Sequence, residues 1–268
     1  MRTALVAALA SIATAAAACE EPPWTGAAMP GSLVEAPGET PRLGPVAAWY
    51  ENPTTRYAHG VLGDAVEAGS LVAQLDDFPN CITGRIDLPV EMVFEDLFPR
   101  LADLDGDGRP EIIVVQSHAD LGAALVVYRL TGDGAGLEMA AATPHIGQRN
   151  RWLAPVGIAD FDGDGLVDIA YVDRPHLARV LRIWRYLPDE AGGPVLQEIA
   201  AAGGLSNHRI GEDFITGGVR DCGAGPELVL ADASWSRVVV ARMADGEILA
   251  EAVAPFSQAA VAAALDCR

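Results

Sequence analysis

Short apolar runs, not long amphipathic stretches, punctuate this chain. Ile112–Val115, Ile169–Val172 and Leu228–Leu230 are continuous, rich in β-branched residues and bounded by Gly, Pro or acidic residues. That is the pattern of strands buried on both faces. Each run is followed by a polar corner and then by a second apolar segment: Ala124–Tyr128, Val180–Tyr186 and Arg237–Arg242. Gly/Asp turns follow in Thr131-Gly132-Asp133-Gly134 and Ala244-Asp245-Gly246. The pattern predicts an all-β chain in which a unit of three or four strands recurs. Units of that kind, used radially, are the blades of a β-propeller.

The first residues read differently. Met1-Arg2 is followed by an uncharged run, Thr3 to Ala18, ending in Ala16-Ala17-Ala18 before Cys19. Small residues before a cut mark a secretory signal peptide, and the run is too short and Ala-rich for a good membrane span. The organisation predicted is a signal peptide over 1–18, a linker or extension over 19–44 and a propeller repeat domain over 45–268. The expected location is outside the cytoplasm, in a bacterial periplasm or the extracellular space. Cys19 also resembles the cysteine of a bacterial lipoprotein signal, so a lipid anchor is an alternative to simple cleavage. Cys19, Cys81, Cys222 and Cys267 form an even set, which in an exported chain points to two disulfides with three possible pairings. A Cys19–Cys267 bridge would tie the ends of a ring together.

Charge narrows the partners. The 18 cations are all Arg, against 37 acids, for a net charge of −19. A surface this acidic argues against a nucleic-acid partner, and an apolar half of the composition excludes a disordered chain.

The acids are not spread evenly. Asp103-Leu-Asp105-Gly-Asp107-Gly-Arg109-Pro-Glu111 and Asp160-Phe-Asp162-Gly-Asp164-Gly-Leu166-Val-Asp168 share one pattern, D-x-D-x-D-G-x-x-[DE]. Calcium takes six to eight hard oxygen ligands. Carboxylates at positions 1, 3 and 5 converge on one ion only if the backbone curls tightly, which Gly108 and Gly165 allow. Position 7 (Arg109, Leu166) offers a carbonyl and position 9 (Glu111, Asp168) a further carboxylate. An EF-hand would need Glu at position 12 and flanking helices. Val114 and Tyr171 stand there, and strands flank both loops. Two calcium sites are therefore expected. Zinc would want His or Cys, which the loops lack.

The loops lie 57 residues apart (160 − 103), a spacing that signals a repeat. Degenerate copies are read at Gly60–Asp64 and at Gly218–Leu230, neither expected to hold an ion. Arg100-Leu-Ala-Asp-Leu-Asp-Gly-Asp-Gly-Arg-Pro-Glu-Ile-Ile-Val114 and Gly157-Ile-Ala-Asp-Phe-Asp-Gly-Asp-Gly-Leu-Val-Asp-Ile-Ala170 resemble the FG-GAP/VCBS repeat of integrin α-subunit propellers and of many secreted bacterial proteins. The resemblance implies calcium ligands at Asp103, Asp105, Asp107 and Glu111, and at Asp160, Asp162, Asp164 and Asp168. Propellers of that family usually have about seven blades. This chain has room for about four units plus closing strands, so a small or incomplete ring is expected.

On the face opposite the calcium loops, corners and strand entries would gather Tyr57, His59, His118, Arg174, His176 and Trp235 around one mouth, suited to a ligand. No Walker loop, dinucleotide fingerprint or G-x-S-x-G elbow occurs. The expected function is a secreted calcium-binding propeller that binds a glycan or protein partner. The alternatives are a hydrolase or lyase working at the propeller axis and a lipid-anchored envelope protein.

Overall fold

The computed structural model describes residues 28–37, 44–77, 80–134, 136–188 and 190–268. The expected leader and Cys19 lie outside the described residues, as does the side chain of Cys81. The chain is all-β in propeller style, with four antiparallel units and one short helix among the described residues.

The first unit runs β1 (Val34–Glu35), β2 (Pro45–Thr54), β3 (Glu67–Asp77) and β4 (Asn80–Asp87). The second has two short inner strands, β5 (Met92–Phe94) and β6 (Arg100–Ala102), both paired to β7 (Glu111–His118), then β8 (Gly122–Leu130) and β9 (Leu137–Ala142). The third is uninterrupted: β10 (Leu153–Ala159), β11 (Asp168–Asp173), β12 (Val180–Leu187) and β13 (Val195–Gly203). The fourth again splits its inner strand, into β14 (Leu205–Ser206) and β15 (Gly218–Asp221). Both pair to β16 (Pro226–Asp232), followed by β17 (Arg237–Ala244) and β18 (Glu247–Pro255). The first two units join one hydrogen-bonded sheet through Ala68 opposite Phe94.

The continuous apolar runs are explained by what lies on either side of them. In β7, Ile112 and Val114 pack with Leu71, Ala73 and Phe94 of the first two units, whereas Ile113 and Val115 pack with Leu153, Ile169 and Tyr171 of the third. A strand sandwiched between neighbours has no solvent face and so no alternation. In the same way Ala170, Val172 and Ile183 of the third unit meet Leu228, Leu230 and Val239 of the fourth. The core is thus a series of layers between units. The fourth unit meets the first through loops, with Gly211 N donating to Val61 O at 3.1 Å.

Two expectations need correction. Gly60–Asp64 does not open a strand: it is a turn within the long β2–β3 corner. Asp64 has no following ladder to join, because β3 begins only at Glu67 and already pairs with β2. The corresponding loop of the first unit is the β1–β2 connection, part of which lies outside the described residues. The expected Cys19–Cys267 bridge is also overturned. Cys267 is bonded to Cys222, with Cα atoms 5.7 Å apart. Helix α1 (Gln258–Leu265), capped by Ser257 Oγ accepting from Ala260 N, buries Val261 and Ala264 and brings Cys267 back to the β15–β16 loop.

Close approach of the third and fourth units depends on Gly157. A Cβ there would stand 2.0 Å from Cγ2 of Val219, whereas one at Gly203 would meet nothing within 4 Å. Gly157→Ala should therefore cost about 1–3 kcal/mol in denaturant melts, and Gly203→Ala should cost less than about 0.5 kcal/mol. Non-reducing peptide mapping should link Cys222 to Cys267, and Cys222→Ser should lose about 2–4 kcal/mol.

Candidate functional site

The two acidic loops fold alike because the same side chains tie the same backbone. Asp103 accepts from Gly106 N (2.8 Å) and Gly108 N (2.9 Å); Asp160 accepts from Gly163 N (2.7 Å) and Gly165 N (2.9 Å). All four glycines have φ between +75° and +90°, a region in which a Cβ is strained. Leu104 and Phe161 are buried as anchors at position 2. Their amides donate to the carboxylates that close each loop, Leu104 N to Glu111 (2.8 Å) and Phe161 N to Asp168 (3.2 Å).

This geometry gathers Asp103, Asp105 and Glu111 so that one oxygen of each lies within 4.8 Å of the others, and does the same for Asp160, Asp162 and Asp168. Asp107 and Asp164 fall outside these groups; each accepts from the amide two residues on, Arg109 N and Leu166 N. No such group forms near Asp64 or Asp221 among the described residues. Glu111 is buried, and its carboxyl is pushed up to about 8 by burial and by Asp105, Asp107 and Asp103. Asp168 rises to about 6 through burial, held lower by the Arg185 guanidinium. Paired, desolvated carboxylates of this kind fit a hard cation.

Residues 103–171 match the family described as FG-GAP-like repeat. The chain carries an FG-GAP-like repeat. The match starts at the first acid of the first loop and ends just past the second, so the FG-GAP-like segment spans both acidic loops, β7 to β9 of the second unit and β10 of the third, and ends within β11. No curated protein matches the chain.

The rim opposite the acidic loops carries the corners. Here the structure brings together Tyr57, His59 and His176 of the six mouth residues expected. Tyr57 and His59 pack edge to face at 6.0 Å, and His176 stacks on Trp152 at 6.4 Å. The other three have separate partners. His118 packs on His145, Arg174 pairs with Asp173, and Trp235 lies between Arg209 and Phe256. The β2–β3 corner supplies Tyr57 and His59, a role the sequence assigned to an entering segment.

Sequence reasoning missed the groups that fix this mouth. They sit where the inner strands split: Glu95 between β5 and β6, and His208 between β14 and β15. Glu95 is fully buried and meets His59 Nδ1 at 2.5 Å and Ser117 Oγ at 2.5 Å, while its carbonyl accepts from Trp152 Nε1 at 2.8 Å. The only signal was a pair of acids, Glu95-Asp96, inside an otherwise apolar run. His208 Nε2 reaches the Glu212 carbonyl (2.9 Å), which can only accept, so that nitrogen carries the proton. His208 Nδ1 is then bare and accepts from His176 Nε2 (2.9 Å), leaving the other nitrogen of a neutral His176 as an acceptor. Burial and the neighbouring His208 hold His176 down to about 4.

Beside this cluster Glu67 is buried among acids. Burial, Glu95, Asp64 and Asp96 push it up to about 9. The folded state thus holds a proton that the unfolded chain releases near the ordinary carboxylate range. Stability from this group is present at acid pH and lost as pH rises towards 9. Glu67→Gln should raise the melting temperature at pH 8 and change it little at pH 5. His176 has the opposite sign: its contribution is present above about pH 6.5 and lost as pH falls towards 4.

Proposed function

We propose that the protein is an exported, calcium-stabilised FG-GAP-like propeller module that binds a glycan or protein partner at the rim of corners. One observation carries the calcium reading. Two loops of the same sequence pattern converge three carboxylates each, and at the first of them no Arg of the described residues is paired with Asp103, Asp105 or Glu111. The donor set is oxygen only, which fits calcium. Asp103, Asp105 and Glu111, with Asp160, Asp162 and Asp168, would hold the ions. Bound calcium would supply the positive charge that lets these carboxylates stay ionised.

Export is supported by the leader pattern and by the Cys222–Cys267 disulfide, which suits an oxidising compartment. No helix among the described residues is long and apolar enough to cross a membrane. Partner binding is supported by the mouth itself, where corners and split strands from all four units converge. Leu177 and Ile210 stand exposed on the same rim, beside His176 and His208.

A second reading, acid–base catalysis at the mouth, rests on the His59–Glu95 pair, whose buried carboxylate orients the imidazole. Ser117 donates its hydroxyl to Glu95 from a fully buried position, which leaves His59 as the group that would move a proton. Any turnover found should then vanish in His59→Ala and survive Ser117→Ala.

Calcium binds only the folded loops, so it stabilises by mass action: about 2.7 kcal/mol per site at a hundredfold excess over Kd. EGTA should lower the melting temperature, and Asp105→Ala or Asp162→Ala should reproduce part of that loss. An unchanged melt in EGTA would refute the calcium reading. A glycan-array and pull-down survey with His59→Ala and His176→Ala as controls tests the binding face.

A further inference from the structure

The two loops are not electrostatically equivalent. In the second, the Arg185 guanidinium lies across three of its acids: Nη2 is 2.7 Å from Asp162, Nη1 is 2.5 Å from Asp164 and Nε is 3.0 Å from Asp168. Its side chain is only 13% exposed, so this is a built contact and not a passing surface pair. Register explains the placement, since Arg185 on β12 stands directly opposite Asp168 on β11. With Phe161 N on its other oxygen, Asp168 has both oxygens engaged.

The same position is Arg in the neighbouring units. Arg129 stands opposite Glu111, one step beyond the Ile112–Tyr128 pair, and Arg242 opposite Glu227, one step beyond Leu228–Ala241. Arg129, however, turns to Glu138 on β9 at 2.9 Å, away from its loop. The residue opposite Arg185 on β13 is Gln197, which offers no comparable charge.

We propose that Arg185 is a tethered counter-ion of the second loop, competing with calcium for Asp162 and Asp168, so that the first loop is the strong site and the second the weak one. This rests on the calcium reading of both loops. For the ion to enter, the guanidinium must leave the carboxylates it neutralises. Without calcium the guanidinium offsets the charge of the second loop's acids, whereas Asp103, Asp105 and Glu111 of the first have no such partner among the described residues. At partly screened distances near 4 Å a unit charge is worth enough to change affinity by roughly tenfold to a hundredfold.

Calorimetric titration of the chelator-stripped full chain with calcium chloride tests this. Asp162→Asn isolates the first loop and Asp105→Asn the second. Asp105→Asn should leave only a weak step. Adding Arg185→Gln to it should tighten that step roughly tenfold or more, and Arg185→Lys, which keeps the charge without the fork, should tighten it less. Arg185→Gln should also make the melting temperature more sensitive to EGTA. If Arg185→Gln does not fold without calcium, Arg185→Lys carries the comparison. Two equal sites in the unaltered chain, or a second-loop affinity that these changes leave alone or weaken, would overturn the proposal while leaving the calcium reading intact. Absence of calcium binding even by Asp162→Asn and the unaltered chain would overturn both.

Discussion

Mutual repulsion among carboxylates gathered at the ends of the inner strands is the constraint around which this molecule is arranged. A tight loop with acids at alternate positions gives the second and third units a sharp, reproducible return between two buried strands, but it concentrates negative charge in a chain that is already strongly acidic. The second, third and fourth units meet that problem differently. The first loop lays Asp103, Asp105 and Glu111 together without a paired Arg among the described residues. The second is spanned by Arg185. The degenerate fourth-unit loop has lost its central acids. There Arg220 neutralises Glu227 at 2.7 Å and donates to the Ala264 carbonyl at 2.8 Å, and the Cys222–Cys267 bond clamps the bend to α1. Electrostatic closure has given way to covalent closure.

What the sequence revealed follows from which interactions are local. The acidic loops were legible because ligand spacing, glycine placement and flanking strands all lie within a dozen residues. Ile112–Val115 and Ile169–Val172 were legible as strands because burial on both faces leaves an unbroken apolar run. The β1 pairing was not, since Val34–Glu35 reaches Ala47 and Ala48 across a connection with no periodic signal. The long β2–β3 corner misled for a related reason: Gly60–Asp64 mimics the start of an acidic loop, and only the register of β3 shows that it is a turn. The partner of Cys267 was equally hidden, because it is set by where α1 packs.

The mouth shows the same division. His59 and His176 announced themselves as polar residues at strand ends. Glu95 and His208, which orient them, are buried in interruptions of inner strands, a position that local pattern reads as plain strand. Their importance comes from convergence of the second and fourth units with the corners of the first and third, a long-range property. The outcome is a polar cluster whose proton positions are dictated by a few one-way hydrogen bonds, beginning at the Glu212 carbonyl.

The interrupted inner strand of the fourth unit has one more implication. β16 is paired at both ends, by Leu205–Ser206 near Asp232 and by Gly218–Asp221 near Pro226, and the excursion between them is tied at its neck by Thr216 N donating to Asn207 O at 2.7 Å. The ladder is therefore complete on either side of a knotted-off pouch. Residues beyond that neck, from His208 to Ile215, hang from a closed loop, so the fourth unit can extend His208 to the mouth and Gly211 to the first unit while its own ladder stays zipped, as a bracket reaches out from a wall without loosening it.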